Sequence, residues 1–147
     1  AEQGRAIAQM GTTALGFICA HQSPRYVTPK QIGTVVTELP VNFKTGLPIV
    51  DRIGVFVDAR METILETVAI GQLNGVQLHG NEPPDFCQQL RLMQPNVEII
   101  KALRIRTVAD LEKAELFATC ADTLLLDAYH PTLGGGTGQT LDWKALQ

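Results

Sequence analysis

Four side chains able to do chemistry stand at equivalent places in the chain. Arg25, His79, Lys101 and Asp127 each fall near or after the end of a short apolar run. The clearest case is Asp127, which follows Leu124, Leu125 and Leu126 directly. Beyond it lies a loop holding Gly134, Gly135, Gly136, Thr137 and Gly138. A carboxyl at a strand end can give or take a proton, and glycines allow a loop to close on a ligand. The same Asp could simply begin a turn. Arg25, in HQSPRYV, offers a planar fork for a carboxylate or phosphate, or is a solvated surface charge. His79 offers an imidazole at a strand end, or a ring bonded to loop backbone. Gln77 interrupts an apolar run, so its amide needs an interior partner. Asp58 follows RIGVFV and precedes a helical pattern, which favours a helix cap over catalysis.

The elements that must position these residues alternate regularly. A helical stripe over residues 2–10 stops at Gly11, and an apolar run over 13–18 reads as a strand buried on both faces. Thr28-Pro29 caps and opens a helix carrying Ile32, Val35, Val36 and Leu39, which Pro40 stops. A strand ending at Val57 precedes a helix through Ile64, Leu65, Val68 and Ala69 that Gly71 ends. Residues 75–78 form the next strand, Pro83-Pro84 open the next helix, and 97–103 form a further strand. Thr107 and Asp110 make a capping box for a helix with Leu111, Ala114, Phe117 and Ala118 inward. The strand carrying Asp127 follows, and Asp142-Trp143 start another helix. Such βα alternation predicts a parallel sheet whose carboxyl edge collects the chemical residues. A doubly wound sheet would show a glycine fingerprint after an early strand, and no GxGxxG is present. A TIM barrel fits better, yet five strands cannot close one that ordinarily takes about 250 residues. The expectation is one incomplete α/β barrel domain over residues 1–147, lacking a first strand and two βα units at the end.

Composition narrows the function classes. The 147 residues are 45% hydrophobic and 18% charged, which is globular. The net charge of -3 with no basic block argues against nucleic-acid binding. Cys19, Cys87 and Cys120 form no CxxC pair, which suits a reducing compartment and small buried side chains. His21, His79 and His130 form no short metal motif, so no metal is expected. No apolar run reaches membrane-span length and the first residues carry no secretory pattern, so a cytoplasmic protein is expected.

Five segments together carry a specific likeness: ALGFICAHQSPRYVTP (14–29), RIGVFVDA (52–59), GVQLHGNE (75–82), IIKALRI (99–105) and LLLDAYHPTLGGGTGQTLDW (124–143). In order and content the chain resembles the phosphoribosylanthranilate isomerase family of tryptophan biosynthesis. The resemblance implies a TIM-barrel isomerase with a small phosphorylated substrate and no cofactor. Its reaction is an Amadori rearrangement that converts N-(5-phosphoribosyl)anthranilate into the 1-amino-ketose phosphate. By that likeness Asp127 is the general acid that opens the sugar ring, and it must hold a proton near neutral pH. Arg25 orients the anthranilate carboxylate. Gln77 and His79 line the pocket floor, and Gly135, Gly136, Thr137 and Gly138 belong to the covering loop.

The chain departs from the family where the general base is concerned. That base is a cysteine in a KICG-type first strand, and none of the three cysteines stands there. Cys19 ends what matches the second strand. The phosphate-binding loops after the seventh and eighth strands also have no counterpart. The 147 residues alone are therefore expected to be inactive. Two alternatives stay open. One is another phosphate-binding barrel enzyme such as indoleglycerol phosphate synthase, with Lys101 as the catalytic amine. The other is a non-catalytic half-barrel module, whose open sheet edges a homodimer could hide.

Overall fold

A computed structural model of the chain describes residues 2–46, 48–105 and 108–128. Helix α1 (Glu2–Gln9) leads to strand β1 (Ala14–Ile18), and α2 (Pro29–Val36) to β2 (Asp51–Phe56). Then come α3 (Met61–Gly71), β3 (Gly75–Leu78), α4 (Pro84–Met93), β4 (Glu98–Ile105), α5 (Val108–Glu112) and β5 (Thr123–Ala128). The strands form one sheet in the order β1-β2-β3-β4-β5, every pair parallel. All five strand ends therefore point the same way, as the alternation predicted.

The register separates two faces of the sheet. Leu15 and Phe17 of β1, Phe56 of β2, Val76 and Leu78 of β3, and Ile99 and Leu103 of β4 share one face. These pack with Ile32 and Val36 of α2, Ile64 and Val68 of α3, and Cys87 and Leu90 of α4. Burial of such side chains is worth about 1.5–3 kcal/mol each, so this layer is what holds the sheet and helices together. Among the described residues, no strand residue of the other face joins this cluster. Helices on one face only are the mark of barrel winding, since a doubly wound sheet carries them on both. The second face carries Gly16, Ile18, Ile53, Val55, Gln77, Ile100, Ala102, Leu125 and Asp127.

Local chemistry explains the start of α2. Thr28 accepts from the Gln31 backbone N–H, and the Gln31 side chain accepts from the Thr28 N–H, a full capping box with Pro29 at the first position. That helix ends at Val36, before Pro40, because Glu38 and Leu39 already bond three residues back. Gly33 sits inside α2 because a Cβ there would stand 2.9 Å from the Ile70 carbonyl of α3. At the end of α3 the left-handed residue is Gln72, φ 51°, and Gly71 stays helical against Ile32. The helix expected through Ala118 is shorter. After Glu112 the chain tightens into a 3-10 turn, Lys113–Phe117, which buries Phe117 and leaves Ala118 exposed. The predicted strand 97–103 is longer at its far end, reaching Ile105. The Thr107 cap, the helix start at Asp142 and the loop with Gly135, Gly136, Thr137 and Gly138 lie outside the described residues.

Candidate active site at the carboxyl edge

Strand parity places Gln77 and His79 on the same inner face, since side chains two apart point alike. Asp127 lies on that face of β5, paired in register with Arg104. Between β3 and β5 runs β4, whose inner residue at this level is Ala102, 5% exposed. A methyl group there leaves room for side chains of alternate strands to meet, as in the interior layers of a barrel. They do meet. His79 Nε2 stands 3.5 Å from Asp127 Oδ2, and Gln77 Nε2 stands 2.7 Å from His79 Nδ1. The side chains of His79 and Asp127 are 23% and 22% exposed, so the pair is sheltered but reachable. Gln77 thus has the interior partner its place in an apolar strand demanded.

The loop behind His79 is held by a second network on the other side of the sheet. Lys101 pairs in register with Leu78 and so points to the helix-covered face. Its ammonium is buried and bonds Glu82 Oε2 at 2.8 Å, the Gly80 carbonyl at 2.9 Å and the Leu78 carbonyl at 3.3 Å. Glu82 in turn accepts from the backbone N–H groups of Asp58 at 2.9 Å and Gly80 at 3.0 Å. Asp58 accepts from the Asn81 N–H at 2.6 Å. Gly80 is required here, because a Cβ would lie 2.4 Å from Asp58 Oδ1. A cleft of about 490 Å³ opens beside this network, lined by Glu82, Pro83, Lys101, Arg104, Lys113 and Phe117 among others. Neither His79 nor Asp127 borders it.

Two sequence expectations change here. Asp58 is not a helix cap: Arg60 holds that position, with no side-chain bond, and Asp58 sits at φ 49° tied to the 79–82 loop. Lys101 is not an amine presented to substrate, because all three of its N–H donors are consumed in the buried clamp. That removes the observation that favoured a lysine-dependent barrel enzyme. Glu82 and Ala102 were missed by the sequence reading. A lysine inside IIKAL was the available signal that a buried acid had to exist nearby.

Arg25 lies at the same carboxyl edge, in the loop that leaves β1 and returns at Val27, whose N–H bonds the Ile18 carbonyl at 2.9 Å. The Ser23 hydroxyl accepts from the Arg25 N–H and shapes this turn. Arg25 is exposed and makes no ion pair among the described residues, so it is not joined to the His79–Asp127 pair. The three cysteines are free and buried, as expected. Burial pushes the Cys19 thiol up to about 11, against a smaller lowering by the Val55 backbone. Burial, then contact with Cys120, pushes Cys87 up to about 12. Thiols held protonated in this way make poor proton acceptors at neutral pH. No described helix is long and apolar enough to cross a membrane.

Comparison with known proteins agrees with this geometry. The family model for N-(5'-phosphoribosyl)anthranilate (PRA) isomerase matches residues 1–147. The isomerase of Trichodesmium erythraeum is 53% identical over 99% of this chain and 61% of its own length. That of Nostoc punctiforme is 55% identical over 99% of this chain and 66% of its own. The crystal structure of phosphoribosyl anthranilate isomerase from Thermotoga maritima superposes with a TM-score of 0.78 at 34% identity, covering 96% of this chain and 63% of that one. A second isomerase structure, in complex with reduced 1-(o-carboxyphenylamino)-1-deoxyribulose 5-phosphate, has a TM-score of 0.70 at 32% identity, over 84% of this chain and 59% of that one. The chain spans about three fifths to two thirds of the length of these relatives. One-sided helix packing on a parallel sheet, an acid at the end of β5 and a family match along every residue lead to one conclusion: the chain belongs to the N-(5'-phosphoribosyl)anthranilate isomerase family.

Proposed function

We propose that this chain is the greater part of a cytoplasmic enzyme that isomerises N-(5'-phosphoribosyl)anthranilate to 1-(2-carboxyphenylamino)-1-deoxyribulose 5-phosphate. The observation that carries the proposal is the sheltered Asp127, at the end of β5 and within reach of His79, in a chain matched by the family over its whole length. Asp127 protonates the furanose ring oxygen and opens the sugar to a Schiff base. A base then removes the C2 proton, and the enolamine tautomerises to the ketose. No cofactor is called for, since the hydrogen lost at C2 is balanced within the same molecule. The buried, protonated thiols of Cys19 and Cys87 support a base supplied from outside these residues. The phosphate grip is likewise assigned to βα units beyond them, and the 147 residues alone are inactive on this reading.

On this reading Arg25, exposed in the loop that leaves β1, forks onto the anthranilate carboxylate and orients it. Arg25→Lys in the full-length protein should raise KM about tenfold with a smaller change in kcat, because a point charge replaces a bidentate partner. Steady-state conversion of the anthranilate substrate, followed by its fluorescence, is the measurement. An unchanged KM would remove Arg25 from the site, and absence of any turnover by the full-length protein would overturn the proposed activity. Clear turnover by a preparation whose intact mass equals the 147 residues would overturn the assignment of base and phosphate grip to other units.

A homodimer is the assembly we propose. A Thermotoga maritima relative is described as a dimeric isomerase, and here Val41, Phe43 and Ile49 are exposed between α2 and β2 at the edge opposite the site. Exposed apolar side chains this close in sequence suit a protein contact. Sedimentation of the full-length protein should give the mass of two chains, and Phe43→Asp should give one.

A further inference from the structure

From the Gln77–His79–Asp127 geometry we infer that His79 is a positioning residue, held in a single tautomer by Gln77 so that its Nε2–H selects which oxygen of Asp127 acts as the acid. The inference rests on the proposed isomerase reaction for its consequence, but not for the tautomer itself. A carboxamide nitrogen can only donate, so the Gln77 Nε2 at 2.7 Å requires a bare Nδ1 on His79. A neutral ring with a bare Nδ1 carries its proton on Nε2. That N–H stands 3.5 Å from Asp127 Oδ2. With Oδ2 turned toward that nitrogen at a distance still longer than a formed hydrogen bond, a protonated Asp127 carries its proton on Oδ1, the oxygen left to face a substrate.

The rest of the local structure makes this arrangement rigid. The His79 backbone N–H bonds the Phe56 carbonyl at 2.8 Å, and the Gly80 N–H bonds Glu82. The ring is thus fixed from both sides of its own peptide. Ala102 leaves the gap through which ring and carboxyl meet. The 3.5 Å separation is long for the neutral acid. When Asp127 gives up its proton, the new carboxylate draws the N–H closer into a charge-assisted bond. His79 then stabilises the charge that appears on the acid during ring opening. As a positioning residue it acts through the acid, so its effect should fall on kcat.

The test uses the full-length protein. Nitrogen-15 correlation spectra of the neutral His79 ring should show a protonated Nε2 and a bare Nδ1, with no substrate present. Gln77→Met should turn this into a mixture of tautomers and lower kcat about tenfold, with KM within about twofold. His79→Gln keeps an N–H near the Nε2 position, whereas His79→Met fills the space without a donor. His79→Gln should hold kcat within about fivefold of the parent, and His79→Met should lose about ten- to a hundredfold, the worth of one hydrogen bond to a charged group. A neutral ring protonated on Nδ1 would overturn the inference whether or not the protein turns over substrate. Equal losses for the Gln and Met variants would overturn the donor role. The expected tautomer in a protein with no isomerase activity would keep the lock and sink the proposed function, so the two failures are told apart.

Discussion

Asp127→Asn in the full-length protein should lower kcat about 10²–10⁴-fold while leaving KM within about threefold. Asparagine has nearly the same shape and can still accept the His79 N–H, so the geometry at the end of β5 should persist. What it cannot do is release a proton to a ring oxygen. Substrate affinity comes mainly from groups that grip the anthranilate carboxylate and the phosphate, and none of those is Asp127. A loss confined to turnover is what removal of a transition-state interaction looks like. Product affinity, read by anthranilate fluorescence titration, should therefore stay near the parent value. Near-normal turnover would take the acid role away from Asp127. A parallel loss of affinity would make it a binding residue instead.

The ladder of elements was legible because nearly every one carries its own local punctuation. Thr28-Pro29 and Pro83-Pro84 open helices, and continuous apolar runs mark strands, but the expected cover on both faces is not met, since β1 is only partly buried and Leu124 and Leu125 of β5 are exposed. The edge on which Arg25, His79 and Asp127 fall follows from parallel alternation alone. Errors arose where a residue's partner is distant in sequence. Asp58 has the right type and nearly the right place for a cap, yet its bond is to Asn81 on the next βα loop. Lys101 lies in a strand, and sequence does not say which face it takes; its pairing with Leu78 decides that. The helix expected after Thr107 exceeds the observed one because Leu111, Ala114 and Phe117 recur every three residues, a spacing a 3-10 turn satisfies equally well. The Gln77–His79 contact could be anticipated from an amide in an apolar strand. The His79–Asp127 contact could not, since it depends on β3 and β5 flanking a strand with only a methyl group between them.

The largest effect on stability should come from Lys101, on the helix-covered face of the sheet. Lys101→Met should cost about 3–5 kcal/mol, the usual consequence of removing one partner from a buried ion pair. The side chains of Lys101 and Glu82 are 2% and 3% exposed, so losing one leaves the other nearly desolvated without its charge partner. Without the ammonium, the Glu82 carboxylate keeps only backbone N–H donors from Asp58 and Gly80. The Gly80 and Leu78 carbonyls lose their donor at the same time. The double variant Lys101→Met, Glu82→Met removes both charges and should recover a good part of that loss, because well-packed apolar replacements of buried pairs are often tolerated. Urea unfolding of the full-length variants measures the cycle, and a coupling below about 1 kcal/mol would mean the pair behaves like a surface ion pair. The clamp also bears on chemistry. Glu82 fixes the Gly80 N–H, and Gly80 is the residue that follows His79. A loop released at Glu82 lets the imidazole drift from Asp127. Lys101→Met should therefore lower kcat as well, at temperatures where the variant remains fully folded. In this family member the buried pair on the helix side of the sheet and the acid on its inner face are two sides of one loop, and the position of His79 is where they meet.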